Sequence, residues 1–201
     1  MMRKYELSYS QQALYFVQQF NPPSTSYNVG LAFKFLKKFN DICFRAALDK
    51  LLLKHRTLCT RFLNEDGKIY QYIDETTKYD LHIVDIRGMD EGAIERKVNA
   101  DFHTGYNLLN DNLLRVYLYR NEAYDLVSIV IHHIIADFNS VEIILNDFME
   151  LYHALENGFK IKGDDTEVSY DTFVEEEKEF VLSKKFIPQM QYWENVLMNM
   201  K

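Results

Sequence analysis

Two hydrophobic periods alternate along this chain, and each change of period marks an element. Ser8-x-x-Gln11 has the form of a capping box. Leu14, Tyr15 and Val17 follow it, which predicts a helix over residues 8–20, stopped by Pro22-Pro23. The period then shortens to two. Val29, Leu31, Phe33 and Phe35 lie on one side and Asn28, Ala32 and Lys34 on the other, the pattern of a half-buried strand. Asn40 is placed to cap a second helix. Phe44, Ala47, Leu48, Leu51 and Leu52 form its apolar face, and it ends near His55.

Residues 58–73 predict a hairpin around Asn64-Glu65-Asp66-Gly67, with Asp-Gly as the turn signal. Leu81–Val84 predicts a short strand, and Ile94, Val98 and Phe102 share one face of a helix over about 90–103. Leu113–Arg120 and Tyr124–His133 are two strands joined by Asn121-Glu122-Ala123. The second is apolar on both faces, so it belongs inside a sheet. The strongest helical pattern comes next: Val141, Ile144, Leu145, Phe148, Leu151, Tyr152 and Leu155 keep i, i+3, i+4 spacing. Asn139-x-x-Glu142 has the form of a capping box at its start, and Gly158 stands where a C-cap belongs. A polar loop over 159–168 and helices over about 170–182 and 187–199 complete the chain. Helices and strands mixed in this order, with no internal repeat, predict an α/β or α+β fold around one sheet.

Composition narrows the function classes. The chain has 201 residues, 47% hydrophobic and 26% charged, enough for a core without metals or disulfides. The formal net charge is -7 and no basic run is present, which argues against nucleic acid as a partner. The acidic runs Asp164-Asp165-Thr166-Glu167 and Glu175-Glu176-Glu177 have the character of solvated faces. Cys43 and Cys59 are far apart and lack CxxC partners, so neither a disulfide framework nor a cysteine-ligated zinc site is expected. No signal-peptide pattern follows Met1, and no stretch reaches the ~18 apolar residues of a membrane span. A cytoplasmic protein is the expectation.

Candidate chemistry concentrates in Ile131-His132-His133-Ile134-Ile135-Ala136-Asp137-Phe138-Asn139-Ser140. Two histidines end a buried strand, and strand alternation sends their rings to opposite faces. One then packs inside the fold and the other faces a cavity beyond the strand end. Three interpretations are open: two satisfied core histidines beside a helix cap, a metal site, or catalysis. A metal site would take His133 and Asp137 as ligands, but the remaining histidines give no clustered spacing. Catalysis would use imidazole because its ordinary pKa of about 6.5 suits proton transfer near neutral pH. Asp137 would orient the loop or the ring through a charge-assisted bond.

His132-His133-x-x-x-Asp137 resembles the HHxxxDG motif of non-ribosomal peptide synthetase condensation domains, and the HxxxD of the wider chloramphenicol acetyltransferase-like superfamily. Ser8–Tyr15 resembles the family's opening SxAQxRLW, matching at Ser8, Gln11, Leu14 and an aromatic Tyr15. Lys54–Phe62 resembles RHExLRTxF, matching at His55, Leu58, Thr60 and Phe62. Tyr170-x-x-Phe173 is similar to YxDF, and Tyr192-Trp193 to the YW after it. The resemblance spans essentially the whole chain.

It implies a chloramphenicol acetyltransferase-like two-layer α/β sandwich, one lobe of a two-lobe domain with the active-site tunnel between lobes. Residues 1–175 would form the N-terminal lobe, and 176–201 a helical segment leading to a C-terminal lobe. The implied activity is amide formation between carrier-bound acyl or peptidyl and aminoacyl thioesters. His133 would be the catalytic residue, with His132, Asp137 and Arg61 supporting it. The implied partners are peptidyl or acyl carrier proteins and the second lobe, with no nucleic acid and no membrane. Substrates would ride on the carriers' phosphopantetheine arms, and the chain itself would bind no cofactor or metal.

Three positions depart from the motifs: Phe138 replaces the usual Gly, Cys59 the usual Arg that pairs with the motif Asp, and Arg56 the usual Glu. Phe138 would be strained if its position needs positive φ. Arg61, two residues beyond Cys59 on the same strand face, is expected to pair with Asp137, and Arg115 is the second candidate. The isolated chain would fold but be inactive, with an apolar surface toward the second lobe. Competing functions are epimerization or ester-forming acyl transfer on the same fold, and a non-catalytic docking lobe.

Overall fold

The computed structural model describes residues 3–20, 24–161 and 169–200. The Pro22-Pro23 break and residues 162–168, with their acidic run, lie outside the described residues. Local signals set the element boundaries where the sequence puts them. After strand β1 (Lys4–Glu6), Ser8 and Gln11 form a reciprocal capping box. The Gln11 amide donates to Ser8 Oγ at 3.2 Å and the Ser8 amide donates to Gln11 Oε1 at 3.0 Å, which opens α1 (Tyr9–Phe20). Strand β2 (Asn28–Phe35) follows. Asn40 then caps α2 (Asp41–Lys54), its Oδ1 accepting from the Ile42 and Cys43 amides.

A short 3-10 turn (Arg56–Cys59) leads into β3 (Thr60–Glu65) and β4 (Lys68–Ile73). Asp66 and Gly67 between them have φ of 52° and 86°. Positive φ at both central residues is the geometry that matches a two-residue hairpin to strand twist. Next come β5 (Asp80–Asp85), α3 (Glu91–Phe102), β6 (Leu114–Arg120), β7 (Asp125–His132) and α4 (Phe138–Glu156). Gly158, at φ 69°, closes α4. The helices α5 (Tyr170–Leu182) and α6 (Ile187–Met198) complete the described chain.

The strands form two sheets, β1-β4-β3 and β2-β7-β6-β5, and not the one sheet expected, because the local β3–β4 hairpin takes β1 as its third strand and pairs with none of the others. All pairings are antiparallel except β5 with β6. β7 lies inside the larger sheet, as its two apolar faces require. On one face Val127, Ile129 and Ile131 pack with Phe44, Leu48, Leu51, Ile144 and Phe148 of α2 and α4. On the other, Val130 packs with Tyr117, Tyr119, Ile94 of α3, Phe62 of β3 and Ile134. The large sheet is thus the middle layer, and α1 and the small sheet reach its far side through Leu14, Leu7 and Phe62. Asp125 is fully buried at the start of β7, where its carboxylate takes the Phe39 amide and Arg120. Charge compensation there ties the β6–β7 hairpin to the start of α2. The boundary expected after residue 175 falls inside the continuous helix α5. No helix among the described residues is long and apolar enough to cross a membrane.

Gly30 shows how tightly β2 lies against β7. A Cβ built at Gly30 would stand 2.0 Å from the Ile129 carbonyl oxygen. Backbone cannot yield as a flexible side chain does, so Gly30→Ala is expected to destabilise the chain by about 2 kcal/mol or more. Urea denaturation checks this. An unchanged midpoint would contradict the close approach.

Candidate active site

The end of β7 sorts its two histidines. His132 is completely buried, beside the Tyr106 and Tyr27 rings. The Ile134 amide donates to its Nδ1 at 3.1 Å. Nδ1 therefore carries the lone pair and Nε2 the proton, and Nε2 has no hydrogen-bond partner. Burial, reinforced by the neighbouring His133, pushes the His132 pKa down to about 4. His132 is a neutral packing group at neutral pH.

His133 leaves the sheet on the opposite side, half-buried. Its amide donates to the Tyr27 carbonyl at 2.8 Å, and its Nδ1 lies 3.0 Å from the Ala136 carbonyl oxygen. A carbonyl can only accept, so Nδ1 carries the proton and Nε2 keeps its lone pair. The turn that returns the chain toward α4 thus fixes the tautomer of a histidine on a cavity wall.

Asp137 supports the loop, but without the arginine partner expected for it. It is exposed and caps α4, its Oδ1 accepting from the Ser140 amide at 2.7 Å and the Ser140 hydroxyl at 2.6 Å. Those hydrogen bonds hold its carboxyl below the usual range. Neither arginine expected to pair with it does so. Arg61 donates to the Asn110 and Asp111 carbonyls. Arg115 donates to the Thr104 and Gly105 carbonyls and to Asp111, with its guanidinium 3.7 Å from the Tyr106 ring centroid. The reason for Arg61 is strand alternation: Thr60 faces the cavity with His133, which turns Arg61 to the other side of β3. The cap of α4 is likewise Asp137 and not Asn139. Phe138 is the first helical residue, and Asp66 is the only non-glycine with positive φ among the described residues. The motif's glycine is therefore not required for φ > 0 in this turn.

His133 and Asp137 line a cavity of about 270 Å³ with Ser10, Gln11, Thr60 and Tyr170. Every motif region singled out in the sequence, apart from Tyr192-Trp193, sends a residue to it. Gln11 holds the parts together: its Nε2 donates to the Ile134 carbonyl and to Gln71 Oε1, both at 3.0 Å. This fully buried contact pins α1 and β4 to the histidine turn. His55, matched in the second motif, instead meets Asp147 of α4 at 2.6 Å and ties α2 to α4. Larger cavities exist, about 670 Å³ between α3 and the sheet and about 830 Å³ beside Arg3 and Arg56. Both carry a hydrogen-bonded imidazole as well, His103 and His55, so the His133 cavity is distinguished by the motif regions that converge on it. No group of three or more His, Cys, Asp or Glu among the described residues could hold a metal ion.

Residues 1–201 match the family model "Condensation domain". The chain is 28% identical over 196 residues to a linear gramicidin synthase of Brevibacillus parabrevis, covering 95% of this chain and 4% of that protein. It is also 28% identical over 197 residues to cyclosporin synthetase of Tolypocladium inflatum, covering 96% of this chain and 1% of that one. The chain therefore spans only a few per cent of the length of these relatives. Among solved structures, the starter condensation domain of rhizomide synthetase superposes with a TM-score of 0.87 at 23% identity, over 99% of this chain and 49% of that one. The first condensation domain of the calcium-dependent antibiotic synthetase gives 0.86 at 22%, over 99% and 48%. The fold is the α/β sandwich of these domains, with layers on both faces of the large sheet where two layers in all were expected, and the chain spans about half of each.

Two outcomes follow from the site. Asp137→Ala should cost about 1 kcal/mol, the worth of an N-cap, where loss of a buried ion-pair partner would cost roughly 3–5 kcal/mol. Chemical denaturation distinguishes the two. The second concerns His132. The unfolded chain takes up a proton near pH 6.5, while the folded one refuses it until about pH 4. Stability present above pH 6.5 is therefore lost as pH falls toward 4, by roughly 3 kcal/mol. Denaturation midpoints across that window should fall less steeply for His132→Gln, and parallel curves would refute the assignment.

Proposed function

The chain belongs to the condensation domain family, and on that premise we propose that it supplies the histidine-bearing wall of a site that makes an amide from two carrier-bound thioesters. The observation that carries this is the convergence of the separate motif regions on one cavity with the His133 tautomer fixed. In the reaction, the amine of an aminoacyl thioester attacks the carbonyl carbon of an acyl or peptidyl thioester. A C–N bond forms, the C–S bond breaks, and the donor arm's sulfur leaves as a thiol after taking up a proton. His133 Nε2 accepts a hydrogen bond from the attacking amine. It holds the nitrogen lone pair toward the carbonyl and is the group on this wall to which the amine's proton can pass. His132 and Asp137 act through the turn, one by packing beneath it and the other by capping α4. Arg61 acts further out, on the 110–111 carbonyls. The partners are acyl or peptidyl carrier proteins, whose phosphopantetheine arms bring the substrates, and the chain holds no cofactor of its own.

The same reading assigns residues 1–175 to an N-terminal lobe and 176–201 to the connection toward a second lobe. Helix α6 supports it. That helix has no buried residue, and Met190, Tyr192, Trp193, Leu197 and Met198 are exposed along it. A twelve-residue helix with a bare apolar face gains its stability from a partner. The departure at Phe138 gives no support to a non-catalytic docking lobe, since Phe138 begins an ordinary helix.

The test is amide formation by the synthetase carrying this chain, with both carriers loaded. His133→Ala should lower the rate by about 100-fold or more while the unfolding transition is retained. Undiminished product would overturn the catalytic role. The 201-residue chain alone should unfold cooperatively yet give no amide product detectable by mass spectrometry, because one wall of the site would be absent. Turnover equal to the complete domain would refute the two-lobe reading.

A further inference from the structure

Three hydroxyls are chained at the cavity, Tyr170 and Ser10 on its wall and the buried Ser8 between them, and their hydrogen-bond directions can be worked out. Tyr170 Oη donates to Ser8 Oγ at 3.1 Å, and the Gln11 amide donates to the same oxygen at 3.2 Å. A hydroxyl oxygen has two lone pairs, and both are now occupied. Ser8 Oγ also lies 3.1 Å from Ser10 Oγ. The Ser8 proton is the only group left to make that contact, so Ser8 donates and Ser10 accepts. The Ser10 proton is then unspent. Ser8 is buried and Ser10 exposed, and Ser10 and Tyr170 line the cavity that holds His133. Two other hydroxyls there are already committed: Thr60 donates to the Thr57 carbonyl at 2.6 Å and Ser140 to Asp137.

We propose that Ser10 is a substrate-binding and specificity-determining residue, whose hydroxyl donates a hydrogen bond to an acceptor oxygen of the acyl substrate beside His133. The inference rests on the amide-forming reading of the site and deepens it. The wall then offers two complementary polar groups, a lone pair on His133 Nε2 for the N–H of the amine and a proton on Ser10 for an oxygen of its partner. Donation along the chain from Tyr170 through Ser8 polarises each O–H in turn and makes the last one a better donor. The opening motif that Ser8–Tyr15 resembles has Ala at this position, so the hydroxyl adds a recognition contact to a site built without one. The recognised class is an acyl or peptidyl thioester with an oxygen acceptor within the cavity.

The test uses the synthetase carrying this chain, with its own loaded substrates. Ser10→Ala restores the motif residue on an exposed position and should fold normally. It is expected to lower kcat/KM for amide formation about tenfold, the scale of one hydrogen bond to substrate. Ser10→Thr keeps the donor and should restore most of the loss. Tyr170→Phe frees a lone pair on Ser8, so the Ser10 proton can turn inward. That variant should also lose activity, and the double variant should be no worse than Ser10→Ala alone. Equal kcat/KM for Ser10→Ala and the parent would overturn the proposal. So would failure of Thr to rescue, or strictly additive losses. A parent without amide product, or His133→Ala as active as the parent, would instead sink the functional reading beneath it.

Discussion

A strand buried on both faces must return its chain to solvent within a few residues, and the rest of the site depends on how β7 does so. The β2–β7 register ends with Asn28 opposite His132, and one further backbone bond, from the His133 amide to the Tyr27 carbonyl, closes it. Alternation then decides everything beyond it. The last paired residue points into the core and the next one out, so one histidine is fully buried and its neighbour stands on a cavity wall. A slip of one residue in β7 would exchange the two rings and also turn Val127, Ile129 and Ile131 away from α2 and α4. The burial of those three side chains, worth roughly 1.5–3 kcal/mol each, is what fixes His133 outward.

The second requirement is that remote parts of the chain meet at that strand end. Gln11 achieves this with one amide group. Its Nε2 serves the Ile134 carbonyl and Gln71, and its Oε1 accepts from the Ser8 amide and from Gln71 Nε2. All of these bonds are buried, so leaving one unmade would cost more than it contributes when made. The residue therefore specifies position as well as stability: α1, β4 and the 132–137 turn can sit in one arrangement only. Ser10 is carried to the cavity by the first turn of α1, and Tyr170 by the first turn of α5.

Much of this is legible in the sequence because its causes are local. Caps at Ser8 and Asn40, the Asp66-Gly67 turn, the interior character of β7 and the opposed histidines all follow from neighbours a few residues apart. The differences concern partners that local pattern cannot distinguish. Asp137 and Asn139 are both good cap residues. An arginine partner for Asp137 would leave Asn139 as the cap, but Asp137 itself binds the Ser140 amide. Cys59 ends a 3-10 turn, so strand alternation relates Arg61 to Thr60 alone; Thr60 is on the cavity face, which carries Arg61 to the 110–111 carbonyls. The irregular segment between α3 and β6, with no period of its own, draws Arg61, Arg115, Gln18 and Asn28 to its carbonyls. Those tertiary contacts leave no trace in hydrophobic spacing.

What the site presents to a substrate is decided less by charge than by where protons are held. His132 and His133 belong to one turn yet carry opposite tautomers. The Ile134 amide fills the Nδ1 lone pair of the first, and the Ala136 carbonyl binds the Nδ1 proton of the second. Two backbone groups, one donor and one acceptor, thus give the buried ring a proton on Nε2 and the half-buried ring a lone pair there. The hydroxyls of Tyr170, Ser8 and Ser10 follow the same logic. Each acceptor filled from behind forces the next proton forward, toward the cavity. Such placement comes from hydrogen bonding to neighbouring groups. It needs only that the groups behind the wall be packed well enough to keep their hydrogen bonds, and Ser8 and Gln11 are both almost completely buried. On the function proposed above, a substrate would meet a wall whose polar groups are already oriented, and the reorganisation that water would impose in an open site would be spent in folding instead.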